Sequence, residues 1–396
     1  MTKQEQRKLC IELMSLSVFR EILKTETLSA LIEFLKANCI EEKALAYGRF
    51  VYSLAEDNYS FSAFLRRVVY SDENKYIVST AQKAPISEAL KNNAEKELSI
   101  FTRLSDVTDS DLWEVENYEG YRPEFSNEKT DFIKGYEERL LNIDRFGYGI
   151  FATSKMFKVE NGEIIPVKSA DTVSVDDFVG YEKERKQVFD NTKALVEGKP
   201  AANVLLFGDA GTGKSSTVKA SVNYYFDEGV RLIEIRKDQL FSLSYIMGRI
   251  ADNPLKFIIF IDDLSFNKND DCFSMLKAAL EGSASAKTSN AVIYATSNRR
   301  HIVKENFSDR AVADDVHHND TVQELMSLSD RFGLTVYFER PNKSLYLDIV
   351  HILADKNGIK TDKQELDIKA EAFALQKGSR SPRAADQFIN SLKTEG

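Results

Sequence analysis

The stretch NVLLFGDAGTGKSS, Asn203 to Ser216, constrains this chain more than any other. A short apolar run leads into Gly208, Gly211 and Gly213, then a lysine and two serines, and the residues beyond carry Val218 and Val222 on one helical face. The spacing is G-x-x-x-x-G-K-[ST], set between an expected strand and an expected helix. Glycines at these positions let the backbone turn tightly. Successive N–H groups from Asp209, Ala210, Thr212 and their neighbours can then point inward, at a helix N-terminus, as a nest for phosphate oxygens. Lys214 is placed to reach the outer phosphates of ATP, Ser215 to hold Mg²⁺, and Ser216 to bind the nucleotide beside them.

Around this motif, strands and helices alternate from Val175 onward. ANVLLF (202–207), RLIEI (231–235), FIIFI (257–261), AVIYA (291–295) and LTVYF (334–338) are short, apolar or β-rich runs. Runs of this kind are buried on both faces, so the spacing predicts an α/β fold with a five-stranded parallel sheet flanked by helices. At the end of FIIFI stand Asp262 and Asp263. Adjacent carboxylates repel unless a cation sits between them, and Asp262 occupies the position from which an acid on a neighbouring strand holds Mg²⁺. Upstream, Val179 and Gly180 lie before a helix, where a small apolar wall and close backbone can meet a flat base.

The remaining sequence sets the frame. At 396 residues and 43% hydrophobic content, the chain is long enough for two or three domains. Its formal net charge of -9 argues against a broad basic surface that coats nucleic acid. Cys10, Cys39 and Cys272 form no CxxC pair, so neither a disulfide framework nor a zinc site is expected. The start lacks an apolar signal core and no run suits a membrane helix, which together predict a cytoplasmic protein with no membrane partner.

Residues 1–150 read as a mainly helical domain, structural or partner-binding, with apolar residues recurring at three and four such as Leu16, Phe19, Ile22 and Leu23. The acids between Asp106 and Glu119 read as an exposed connection. Asn161-Gly162 signals a hairpin within a junction, 151–174. The α/β core is expected over 175–340, and a small helical lid over 341–396, with Tyr346, Ile349, Val350 and Leu353 on one face.

The constellation GKSS, FIDDLSF, ATSNRRH, SLSDRFGL and GSRSPRAADQF resembles the AAA+ ATPases, and is most similar to a bacterial family of AAA+ ATP-binding proteins of unknown function. The resemblance covers Val175 to the C-terminus. It implies a P-loop NTPase that binds ATP and Mg²⁺. Asn298 would orient the attacking water, Arg331 would reach the γ-phosphate of a neighbouring copy, and Arg383, with Arg380 as its rival, would be the lid arginine. Active sites would then form between subunits of a homo-oligomer.

Asp263 departs from the general AAA+ pattern, which has a glutamate there to activate water. A shorter acid holds its carboxylate further back and weakens that function. The resemblance therefore implies slow hydrolysis by an assembly that remodels or loads a protein or, less favoured, a nucleic acid. An ATP-gated binding module with incidental hydrolysis is the alternative, and a small-molecule kinase shares only the phosphate loop. His317 and His318 are adjacent and do not share a helix face, so no metal role is read there; residues 303–323 read as an insertion.

Overall fold

The computed structural model describes residues 1–113, 120–168, 173–175, 178–264, 271–281, 290–298 and 331–395, in two compact units, Met1–Thr153 and Ser154–Gly396.

The first unit is helical. Its longer helices are Lys3–Met14, Glu26–Lys36, Ile40–Ser53, Phe61–Ser71, Glu88–Leu104 and Phe132–Leu141. Thr2, Thr25, Ser60, Ser87 and Asp131 each accept a hydrogen bond from a first-turn backbone N–H, which satisfies donors the helix itself leaves over. Phe19, Phe50, Phe61, Phe101 and Phe132 fill the core. Phe50 and Phe61 meet edge to face at 5.1 Å, the arrangement their ring quadrupoles favour. The buried Glu97 carboxylate accepts from the backbone N–H groups of Ser17, Val18 and Phe19, so a loop rather than a cation satisfies it.

The acidic stretch is not simply an exposed connection. Leu112 is buried, and Trp113 stacks on Phe34 at 6.0 Å and meets Tyr47 edge-on at 4.9 Å. Two apolar side chains are enough to draw residues 109–113 onto the core despite the surrounding charge; residues 114–119 lie outside the described residues.

The second unit is an α/β structure whose sheet has seven strands where the sequence predicts five: β1 (Met156–Glu160), β2 (Glu163–Pro166), β3 (Val204–Gly208), β4 (Val230–Glu234), β5 (Lys256–Ile261), β6 (Ala291–Ser297) and β7 (Leu334–Phe338). The spatial order is β2-β1-β4-β5-β6-β3-β7, parallel throughout except for the β1–β2 pair. The two additional strands are the arms of the expected hairpin. Asn161 and Gly162 both have positive φ, 51° and 83°, as its tight turn requires. Instead of standing apart as a junction, β1 pairs in parallel with β4, Met156 opposite Leu232.

Strand side chains alternate between faces, and one face carries Val204, Leu206, Ile258, Phe260, Val292 and Tyr294. It is covered by Val218 and Val222 from the helix Lys214–Tyr224 and by Val188 and Leu195 from Glu182–Val196. Two consequences position the site. Asp262 and Thr296 continue the same alternation and emerge beside the start of Lys214–Tyr224. Because β6 lies between β3 and β5, whatever follows β6 stands between the glycine-rich loop after β3 and the Asp pair.

The C-terminal part of this unit is three helices, Lys343–Lys356, Lys363–Lys377 and Pro382–Glu395. They pack Tyr346, Ile349 and Val350 against Ala370, Ala374, Ala385, Phe388 and Ile389. Arg380 joins Glu371 through two hydrogen bonds, at 2.9 and 2.7 Å.

Candidate functional site

At the carboxyl ends of β3, β5 and β6 the backbone departs from regular structure. Gly208, Gly211 and Gly213 all have positive φ, at 137°, 77° and 91°. Gly208 also passes close to β7, where a Cβ would fall 2.0 Å from the Phe338 carbonyl oxygen. No other residue type fits there. The helix begins at Lys214, so its first N–H groups face the loop.

Above this turn lies a cavity of about 460 Å³. Its walls include Ala210 through Thr217, Asp262, Asp263, Thr296 and Asn298, with Phe178, Val179, Tyr181, Arg185, Ile349, Leu353 and Arg383 on the remaining sides. The mixture suits a ligand with one strongly anionic end and one flat apolar end.

The Lys214 ammonium is buried and donates to the carbonyl oxygens of Gly208 at 2.8 Å and Asp209 at 2.7 Å, and to Asn298 Oδ1 at 3.2 Å. Burial holds its pKa below the ordinary lysine value. Asp209, Asp262 and Asp263 pull it upward, and the Arg383 guanidinium adds to the depression. Asn298 uses its other end to donate from Nδ2 to Asp263 Oδ1 at 2.7 Å, so one amide joins the lysine to the second aspartate.

Asp262 is held separately. Its Oδ1 accepts from Ser215 Oγ at 2.6 Å and from Thr296 Oγ1 at 2.5 Å. The Thr296 hydroxyl also accepts from the Asp263 N–H at 2.9 Å. Asp263 itself adopts the left-handed conformation, φ 51°, which Asp and Asn tolerate better than longer or branched side chains.

The residue pair read as a magnesium site, Ser215 and Asp262, is thus in direct contact. A hydroxyl and a carboxylate facing a cavity fit Mg²⁺, which takes few protein oxygens and completes its shell with phosphate and water oxygens. Among the described residues no group of three or more His, Cys, Asp or Glu side chains could hold a metal alone. The N–H nest and Lys214 fit a phosphate chain in the same way.

Lys214, Ser215, Ser216, Asp262, Asp263, Asn298 and Arg383 all line the one cavity. Gly208 and Asp209 stand behind it and meet Lys214 through their carbonyls. Val179 lines it, while Gly180, φ 74°, faces Leu345 and Ile349. Arg383 joins the loop through its backbone N–H, which donates to the Gly211 carbonyl at 3.3 Å. Arg331 is not brought to this cavity. It precedes β7, which runs parallel to β3, and so lies at the opposite sheet end from the phosphate loop.

Thr296 and Arg185 are among the cavity-lining residues that sequence reasoning missed, with Tyr181, Thr217 and Asp386. Thr296 had a signal, since alternation through Val292 and Tyr294 points it to the face of Asp262. The SLSD portion of the arginine box, Arg299, Arg300, His317, His318 and the insertion 303–323 lie outside the described residues. Among the described residues no helix is long and apolar enough to cross a membrane.

No curated protein sequence matches the chain significantly. Among solved structures it is similar to the Thermotoga maritima RuvB Holliday junction branch migration motor, with 15% identity, a TM-score of 0.39 and coverage of 56% of this chain. The chain spans 64% of that protein's length. A structure described under katanin self-assembly is similar at 15% identity and a TM-score of 0.34, covering 56% of this chain and 73% of its own. Residues 151–396, which hold the sheet, the cavity and all of its lining, match the family described as "Protein of unknown function (DUF815)", and the chain belongs to that family.

Proposed function

We propose that this protein is an AAA+ ATP-binding protein and a slow, Mg²⁺-dependent ATPase that works as a homo-oligomer on a macromolecular partner. The observation that carries the reading is the Asn298 bridge. A single amide contacts both the lysine suited to the outer phosphates and the carboxylate suited to water, at 3.2 and 2.7 Å.

The phosphate chain would lie on the loop 208–213, exchanging carbonyl contacts of Lys214 for phosphate oxygens. Ser215 and Asp262 would hold Mg²⁺, which supplies charge neutralisation along the phosphates. Asp263 would accept a proton from water, with Asn298 orienting both. Arg383 would come from the lid onto the outer phosphates of the same copy. Arg331, which precedes β7 at the far sheet end, would serve a different copy, where an arginine on the transferring group is worth on the order of 10³ to 10⁵ in rate.

The test is ATP turnover per chain against protein concentration, for the natural protein and Arg331→Ala. Turnover should fall on dilution and drop at least tenfold in the variant. Turnover that is constant on dilution and indifferent to the substitution removes the shared site.

A second reading, an ATP-gated module with incidental hydrolysis, is favoured by the position of Asp263. Its short side chain is already engaged by Asn298 and sits on a left-handed residue. Asp263→Asn that preserves partner binding, beside Lys214→Ala that abolishes it, would support this reading. The partner, protein or nucleic acid, would be chosen by the helical unit.

A further inference from the structure

The cavity wall holds a side chain that has no role in nucleotide hydrolysis as proposed. Arg185 lies one turn into the helix Glu182–Val196 and lines the cavity together with Phe178, Val179, Ile349 and Leu353. Its side chain is only 11% exposed, and its guanidinium lies over the Phe178 ring at 5.0 Å. Among the described residues its one ion pair is with Glu182, at 3.4 Å, and that carboxylate is itself 79% exposed. An exposed partner at that distance contributes little. Burial also holds the guanidinium below its usual pKa, the mark of a charge whose lost hydration is poorly replaced.

An arginine in such a place has five donors in a fixed plane and no acceptor. One face is covered by Phe178 and one N–H points to Glu182, which leaves further N–H donors for a ligand. The apolar walls beside it match the flat body of a base. The Tyr181 hydroxyl, another group near the cavity wall, is already committed to the Glu339 carbonyl at 2.6 Å. We propose that Arg185 is the base-reading residue of the cavity, donating a hydrogen bond to a ring nitrogen of a purine held between Val179 and the lid residues Ile349 and Leu353.

The proposal rests on the nucleotide reading, and the experiment separates the two. Binding of ADP, of 1-deaza-, 3-deaza- and 7-deaza-ADP, and of inorganic tripolyphosphate is measured by calorimetry on the whole protein and on Arg185→Ala and Arg185→Lys. Loss of a hydrogen bond to a charged donor weakens ADP binding about tenfold in Arg185→Ala, with partial retention in Arg185→Lys. Tripolyphosphate binds all three proteins alike. One of the three deaza compounds binds the natural protein about tenfold more weakly than ADP and loses nothing further in Arg185→Ala, as pairwise coupling requires.

Equal binding of ADP and all three deaza compounds overturns the base-reading role. So does an equal loss of tripolyphosphate in Arg185→Ala, which would mean the arginine acts on phosphates or on folding. Failure of the natural protein to take up either ADP or tripolyphosphate overturns the nucleotide reading itself.

Discussion

Asn298 donates to Asp263 across 2.7 Å, from the residue that follows β6 to the residue two beyond the end of β5. The neighbouring strands make this possible, since β6 and β5 pair in parallel with Ala295 opposite Ile261. Replacing Asn298 by Ala should remove the link from Asp263 to Lys214 without emptying the phosphate loop. Turnover is expected to fall roughly 10- to 100-fold, with ADP affinity changed less than about threefold. Steady-state kinetics beside calorimetry distinguishes this from a general loss of binding.

The left-handed backbone at Asp263 gives a stability prediction independent of catalysis. Asp263→Asn should leave the unfolding free energy within about 0.5 kcal/mol of the natural value, whereas Asp263→Val should cost on the order of 1 to 2 kcal/mol. Urea denaturation measures both. Equal stability of the two variants would contradict the conformation described.

Glycine at 208 answers to a different constraint. A Cβ 2.0 Å from the Phe338 carbonyl must push β3 from β7, so Gly208→Ala should destabilise by about 3 kcal/mol or more. At Gly213, where nothing lies within 4 Å, only the positive φ opposes a side chain, and Gly213→Ala should cost about 1 kcal/mol. Thermal unfolding of the two proteins should rank them in that order.

In the helical unit, Asp72 predicts a pH effect. Burial, the largest influence, raises its pKa to about 6 from 3.8, only partly opposed by the hydrogen bond from Asn74. The folded state therefore keeps a proton that the unfolded chain releases. Stability is highest below about pH 4 on this account and is lost as pH rises through 6, by up to about 3 kcal/mol. Asp72→Asn should recover much of that loss at pH 8 and give no gain at pH 3.5. Trp113 is the only tryptophan and packs in this unit, so its fluorescence during denaturation follows the right transition.

The glycine turn after β3 and the strand runs were legible because their signals are local: glycine, lysine and serine stand at fixed spacing next to a buried strand. The place of Asp262 just beyond β5 was legible for the same reason. The sheet position of the hairpin was not, because β1 has no local mark of its partner, and pairing with β4 is settled only when the chain has folded back. The acids between Asp106 and Glu119 read as an exposed connection because their charge outweighs the one tryptophan among them, Trp113, which nonetheless packs on Phe34 and Tyr47. Arg185 carried no signal, since an arginine early in a charged helix reads as solvated until the cavity beside it is known.

The amide of Arg383 donates to the carbonyl of Gly211, so the last of the three C-terminal helices is fastened to the loop by main chain. Substituting the side chain at 383 leaves that fastening in place. The start of Pro382–Glu395 therefore keeps its hold on the loop whichever non-proline residue stands at 383, and that tie is a property of the backbone rather than of the arginine.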